Sequence, residues 1–225
     1  MSLLPTSILL AGLLIVATQA TAEPPTAVTC GDTITAPGQY RLSADCAGAG
    51  IAISASHVNL ELDGHTMTGK STVVGIFANN VTDVDIRGPG TITAYGDAFL
   101  LPGVTDSQVV NVTCVRNHVG LELSVSGTGN RIVNSVFDNG FDGPGILLGS
   151  GSNGNHIDQN EVNGNNTVGG GGITLDVGAT GNQIHGNTAF GNIGPADLED
   201  DNPNCDSNNW DGNHFGTAVP SSCIN

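Results

Sequence analysis

One short pattern returns along the chain from residue 50 onward: a small residue followed by alternating apolar positions. It reads GIAIS at Gly50, GIFAN at Gly75, DAFLL at Asp97, GLELS at Gly120, GILLG at Gly145, GITLD at Gly172 and ADLED at Ala196. The intervals are 25, 22, 23, 25, 27 and 24 residues. After each comes a second short segment, in order HVNLELDG, VTDVDIRG, SQVVNVTC, GNRIVNSVF, GNHIDQNEV, GNQIHGNTA and SNNWDGNHF. Brief alternations of apolar and polar residues between Gly/Asn turns mark strands, and no segment carries a helical stripe. A period in the twenties with two or three strands per repeat predicts a parallel β-solenoid, because one coil cannot bury its apolar face alone. Stacked at about 4.8 Å, the coils bury a continuous core and pair nearly every backbone group. The expectation is an all-β, single-domain solenoid of about seven coils.

Composition agrees. Low charge (12%) with 33 Gly would suit a disordered chain, yet the regular Ile, Val and Leu spacing argues for order. The formal charge of −16, from 21 acids against 5 bases, speaks against nucleic acid and anionic membranes as partners. Leu9–Ala17 is apolar but too short to span a bilayer, and Ala20-Thr21-Ala22 has the small-x-small form of a signal-peptidase site. The preceding MSLLPTS lacks the usual Lys or Arg. We expect a secreted or periplasmic monomer with a leader at 1–22, an N-terminal cap at 23–49, coils at 50–203 and a C-terminal coil and cap at 204–225. No second apolar segment is long enough to span a membrane.

Export permits disulfides. Two local cysteine pairs flank the repeats, which predicts Cys30–Cys46 and Cys205–Cys223 as staples at the two ends. Cys114 follows Val110 and Val112 at period two and is expected to be a buried free thiol. Trp210 and Phe215 are expected to cover the last apolar layer. Asn130, Asn155, Asn182 and Asn208 recur at one turn position, where they suit left-handed backbone and amide hydrogen bonds up the stack.

The run CGDTITAPGQYRLSADC followed by GIAISASHVNLELDGHTMTG and Gly/Asn-rich coils resembles secreted bacterial right-handed parallel β-helix proteins, NosD-like and pectate-lyase-like. The resemblance covers roughly residues 30–225. It implies the right-handed fold and a carbohydrate-active role, either acting on or binding a polysaccharide. The same scaffold also hosts non-catalytic binding and surface-structural modules.

A uronate lyase or epimerase needs a cation beside its base and acid. The bases are scattered as Arg41, Lys70, Arg87, Arg116 and Arg131, and neither the Asp-Pro-His-Glu motif of alginate epimerases nor the polygalacturonase set is present. The segments Gly154–Asn165 and Gly181–Asn192 share the frame Gly-Asn-x-Ile-x-x-Asn-x-x-x-Gly-Asn. With Ile157 and Ile184 inward, Arg131, His156, Gln183 and Asn209 form one outward column, and Val133, Asp158, His185 and Asp211 the next. His156, Asp158 and His185 are therefore the candidate acid/base residues; as surface neighbours they would give only cross-strand pairing. Lys70, Arg87 and Arg131 are candidate substrate contacts.

Matching the Gly that ends VNLELDG and VDIRG stacks Glu61 on Asp85 and Asp63 on Arg87. The first is a like-charge pair, which a shared proton or cation would relieve. No cofactor is assigned, and Ca²⁺ is the ion that Glu61 and Asp85 would suit. A further acidic group, Asp197, Glu199, Asp200, Asp201 and Asp206 with Asp176 one coil below, has hard oxygen ligands that suit Ca²⁺, but its spacing fits neither an EF-hand nor the Gly-Gly-x-Gly-x-Asp nonapeptide of β-rolls, and it reads as a solvated acidic loop.

Overall fold

The computed structural model describes residues 24–165 and 170–224, so the leader segment 1–22 lies outside it. Its strands pair in parallel into a β-solenoid. The first long sheet has nine strands, from Thr26–Val28 to Asn209–Asp211, and the second has nine, from Thr33–Ile34 to Ala218–Val219. A third sheet of five strands runs from Cys46–Ala47 to Val136–Asp138. Bridges Val136↔Glu161 and Glu161↔Thr188 continue it to the pair Thr188–Ala189 and His214–Phe215. Nine strands per long sheet make about eight turns, more than the seven legible as repeats. The difference arises because 26–47 itself supplies strands to all three sheets. The helical content of the described residues is one 3-10 turn, Pro203–Cys205, and no helix there is long and apolar enough to cross a membrane.

Side-chain alternation builds the core as columns. In the first sheet Leu60, Ile86, Val109, Ile132, Ile157 and Ile184 stack in register and end on Trp210, all buried. Each such burial stabilises the fold by about 1.5–3 kcal/mol. In the second sheet Leu101, Leu123, Leu148 and Leu175 stack, and the next inward position is Asp200. This buried carboxylate accepts hydrogen bonds from Trp210 Nε1 (2.9 Å), Asn208 Nδ2 (3.1 Å) and Asn202 Nδ2 (2.8 Å). Phe215 is partly buried against the same core.

In the third sheet Met67, Ile92, Cys114 and Phe137 stack. Cys114 is free and buried, and burial pushes its thiol well up, so it serves as a small hydrophobe. Both expected disulfides form, Cys30–Cys46 and Cys205–Cys223, with Cα separations of 5.6 and 6.1 Å.

Asparagines line the inside of the corners. Asn130 Nδ2 donates to Asn155 Oδ1 (3.1 Å), Asn155 Nδ2 to Asn182 Oδ1 (3.1 Å), and Asn182 Nδ2 to Asn208 Oδ1 (3.1 Å). A second ladder links Asn160, Asn187 and Asn213, and a third links Asn165 and Asn192 to Asp197. The left-handed residue at the first ladder's corners is the preceding glycine, Gly129, Gly154 or Gly181 (φ 64–67°), and not the asparagine itself. The division follows chemistry: glycine takes the strained backbone without a Cβ, leaving the amide free to turn inward.

The register departs from expectation at one place. Asn59 pairs with Asp85 and Glu61 with Arg87, so Glu61 does not stack on Asp85. Five residues separate Leu60 from Thr66 but only four separate Ile86 from Thr91, although both ends are in register. The inward pairs Val58/Val84 and Leu60/Ile86 set the alignment, and the terminal glycines do not. Asp63, expected opposite Arg87, instead lies 4.0 Å from Arg41.

Candidate functional site

The outward face of the first sheet carries two columns of side chains. One runs Gln39, Asn59, Asp85, Gln108, Arg131, His156, Gln183, Asn209. The other runs Arg41, Glu61, Arg87, Val110, Val133, Asp158, His185, Asp211. The expected stacking of Arg131, His156, Asp158 and His185 is present.

The expected pairing within it is absent. Asp158 accepts from Arg131 Nε at 3.3 Å, whereas His185 Nδ1 lies 3.4 Å from Asp211, one coil further on. Among the described residues His156 makes no side-chain hydrogen bond. The permanently charged, longer guanidinium takes the carboxylate in preference to an imidazole. Within the triplet, Asp158 is therefore engaged by Arg131, and the carboxylate beside His185 is Asp211. His185 and Asp211 have side chains 56% and 71% exposed, so their pair is a weak surface contact.

The cations are similarly dispersed. Arg87 donates through Nε to Asp85 at 2.7 Å, and Lys70 is exposed in the segment joining the third sheet to the second. Glu61 stands across from Arg87 on one side and Arg41 on the other, a setting that disfavours a metal ion. Among the described residues, no three His, Cys, Asp or Glu side chains converge as metal ligands.

An open cleft lies toward the first coils of this face, lined by Gln39, His57, Val58, Asn59, Asp83 and Asp85. His57 and Asp83 take left-handed backbone just before their strands (φ 59° and 56°) and join through Nδ1 and Oδ2 at 2.8 Å. Asn59 Oδ1 and Asp85 Oδ1 are buried and accept no hydrogen bond among the described residues. Alternation marks Asn59, Asp83 and Asp85 as outward. His57 escaped notice, although HVNL and DVDI share one frame that puts His57 where Asp83 stands.

The second sheet carries a different outward surface. Leu100, Glu122, Leu147, Thr174 and Glu199 stack there in register. Burial raises the Glu199 carboxyl above its ordinary range, helped by Asp201 and Asp176. Burial also raises Asp176, with Asp201 and Glu122 adding to the effect, and Asp97, with Glu122 adding. The acidic group read from the sequence therefore divides. Asp197 and Asp200 are buried hydrogen-bond acceptors of the fold, while Asp176, Glu199 and Asp201 belong to this face. For Asp197, burial alone would raise the carboxyl, but hydrogen bonds from Asn192 and Thr217 outweigh it and hold it low.

No family model and no curated protein matches the chain. Among solved structures, the chain is similar to the crystal structure of the Dettilon tailspike protein (gp208), with 12% identity and a TM-score of 0.44. The similarity covers 88% of this chain and 60% of that one.

Proposed function

We propose that the protein binds a neutral polysaccharide laid across the coils of its first long sheet. One observation carries this: in the column from Gln39 to Asn209, only Asp85 and Arg131 have side-chain partners among the described residues, leaving Gln39, Asn59, Gln108, His156, Gln183 and Asn209 uncommitted there. Amides and imidazoles both donate and accept, as a sugar hydroxyl requires. They recur once per coil, at about the 4.8 Å spacing of paired strands, a length comparable with one sugar unit. A uronate polymer fits less well, because Arg41, Arg87 and Arg131 already face carboxylates. The column has no aromatic platform, so affinity should come from many weak contacts and grow with chain length. The two disulfides suit an oxidising compartment and support export. Calorimetric titration with neutral oligosaccharides of increasing length tests the proposal. Affinity should rise steadily with length and fall about threefold in Gln108→Leu, a fraction of one hydrogen bond's worth. Flat, length-independent affinity would exclude a chain laid across the coils.

Hydrolysis is the second reading, favoured by the raised carboxyls on the other long sheet. Glu199 would act as general acid and Asp176 or Asp201 as base, the pairing that glycoside hydrolysis uses. Release of reducing ends by the wild type, lost in Glu199→Gln, would establish it; its absence across a polysaccharide panel would leave binding alone.

A further inference from the structure

We infer that the cleft at the first coils is a clamp for two hydroxyl groups of one sugar ring, with Asn59 Oδ1 and Asp85 Oδ1 as the acceptors; this rests on the glycan-binding proposal above. Three buried side-chain polar atoms lack a hydrogen-bond partner among the described residues: these two and Thr93 Oγ1. Native proteins rarely leave such acceptors empty, since a buried oxygen without a donor has lost water and gained nothing. Two of the three belong to residues in direct register on adjacent strands, and both residues line the same cleft. The demand is therefore for a ligand presenting two donors side by side.

Charge decides which donor. Asp85 carries the guanidinium of Arg87 on its other oxygen, Oδ2, and Asp83 carries His57. A cation entering between Asn59 and Asp85 would meet a carboxylate already neutralised and a guanidinium beside it. A neutral hydroxyl meets no such opposition. Gln39, in register with Asn59 on the preceding strand, adds an amide able to donate or accept. An amide oxygen and a half-neutralised carboxylate oxygen, with a second amide beside them, suit a vicinal diol better than a metal or an ammonium group.

The test compares wild type, Asn59→Leu, Asn59→Asp and the distant control Gln183→Leu. Each is titrated with methyl α-mannopyranoside, methyl β-galactopyranoside, their single-deoxy counterparts, CaCl₂ and the best neutral polysaccharide from the length series. Thermal melts confirm that each variant is folded. Asn59→Leu should weaken the bound glycoside and the polysaccharide about tenfold, the effect of one lost hydrogen bond at a desolvated site. Asn59→Asp, which keeps an acceptor, should stay within about threefold of wild type by the same measure. The deoxy glycoside that binds wild type poorly should no longer be distinguished by Asn59→Leu. Polysaccharide binding weakened by Gln183→Leu but untouched by Asn59→Leu would overturn the clamp and leave the face-binding proposal standing. Saturable CaCl₂ binding lost in Asn59→Leu, without sugar binding, would overturn the clamp in favour of an ion site. Failure of wild type to bind any of these sugars would overturn both.

Discussion

Asn155 and Asn59 sit in the same solenoid and do opposite things. Asn155 is fully buried inside a corner, where its amide accepts from Asn130 N and Nδ2 and donates to Gly127 O and Asn182 Oδ1. Asn59 is on the outer face of a strand, and its Oδ1 accepts no hydrogen bond among the described residues. Inside, each asparagine satisfies a corner's backbone and passes a hydrogen bond to the next coil, so it is structure. Outside, the same group is kept in reserve for another molecule. In a repeat protein, residue type alone does not separate scaffold from site; the separating quantity is whether hydrogen-bonding capacity is already spent.

That contrast can be broken at several points. The largest expected effect is inside: Asn155→Leu strands several buried donors and acceptors, each worth about 1–3 kcal/mol, and should destabilise the protein by about 3–5 kcal/mol in urea unfolding. Asn59→Leu, measured in the same way, should stay within about 0.5 kcal/mol of wild type. Equal losses at the two positions would erase the distinction.

The carboxylates Asp197 and Glu199 sharpen it through pH. Asp197 is held low by its hydrogen bonds, so its contribution is present above the unfolded Asp range, near 3.8, and is lost as pH falls through its lower folded value. Glu199 is raised, so its protonated form is the stable one, and stability is lost as pH rises from the unfolded Glu range, near 4.5, through the higher folded value. Glu199→Gln should therefore melt higher than wild type at pH 7, with the advantage disappearing toward pH 4. A melting temperature unchanged at pH 7 would show that Glu199 is as well solvated as any surface acid. The smallest effect belongs to the exposed pair His185–Asp211: Asp211→Asn should change stability by less than about 0.5 kcal/mol at pH 6 and at pH 8.

Most of the architecture was legible because the inward residues repeat at period two. The columns Ile132, Ile157, Ile184 and Arg131, His156, Gln183 follow directly from aligning the GN-x-I frames. The alignment failed where it relied on a terminal glycine, since the corner after Glu61 holds one residue more than the corner after Arg87. Long side chains were a second limit. A register says that Asp158 neighbours His185, but not that Arg131 will reach it first from the other column. Burial on the second outer face was also hidden. Glu199 and Thr174 alternate as surface residues should, yet both are buried, with Gly171 N donating to Thr174 Oγ1 from the segment before the strand.

The way the ladders end has a consequence for how such a chain could change in size. Along each ladder the amide hydrogen of one coil points to the oxygen of the next, so the hydrogen bonds all run one way. Two of the three ladders finish on carboxylates: Asn192 Nδ2 donates to Asp197, and Asn208 Nδ2 to Asp200, which also closes the leucine column. A carboxylate receives but has no hydrogen to hand on. An extra coil inserted before these two residues would find a donor on one side and an acceptor on the other; one added after them would find neither ladder to join. Duplication within the stack is thus chemically silent, whereas a coil stacked past these two aspartates would have only the ladder ending at Asn213 left to extend.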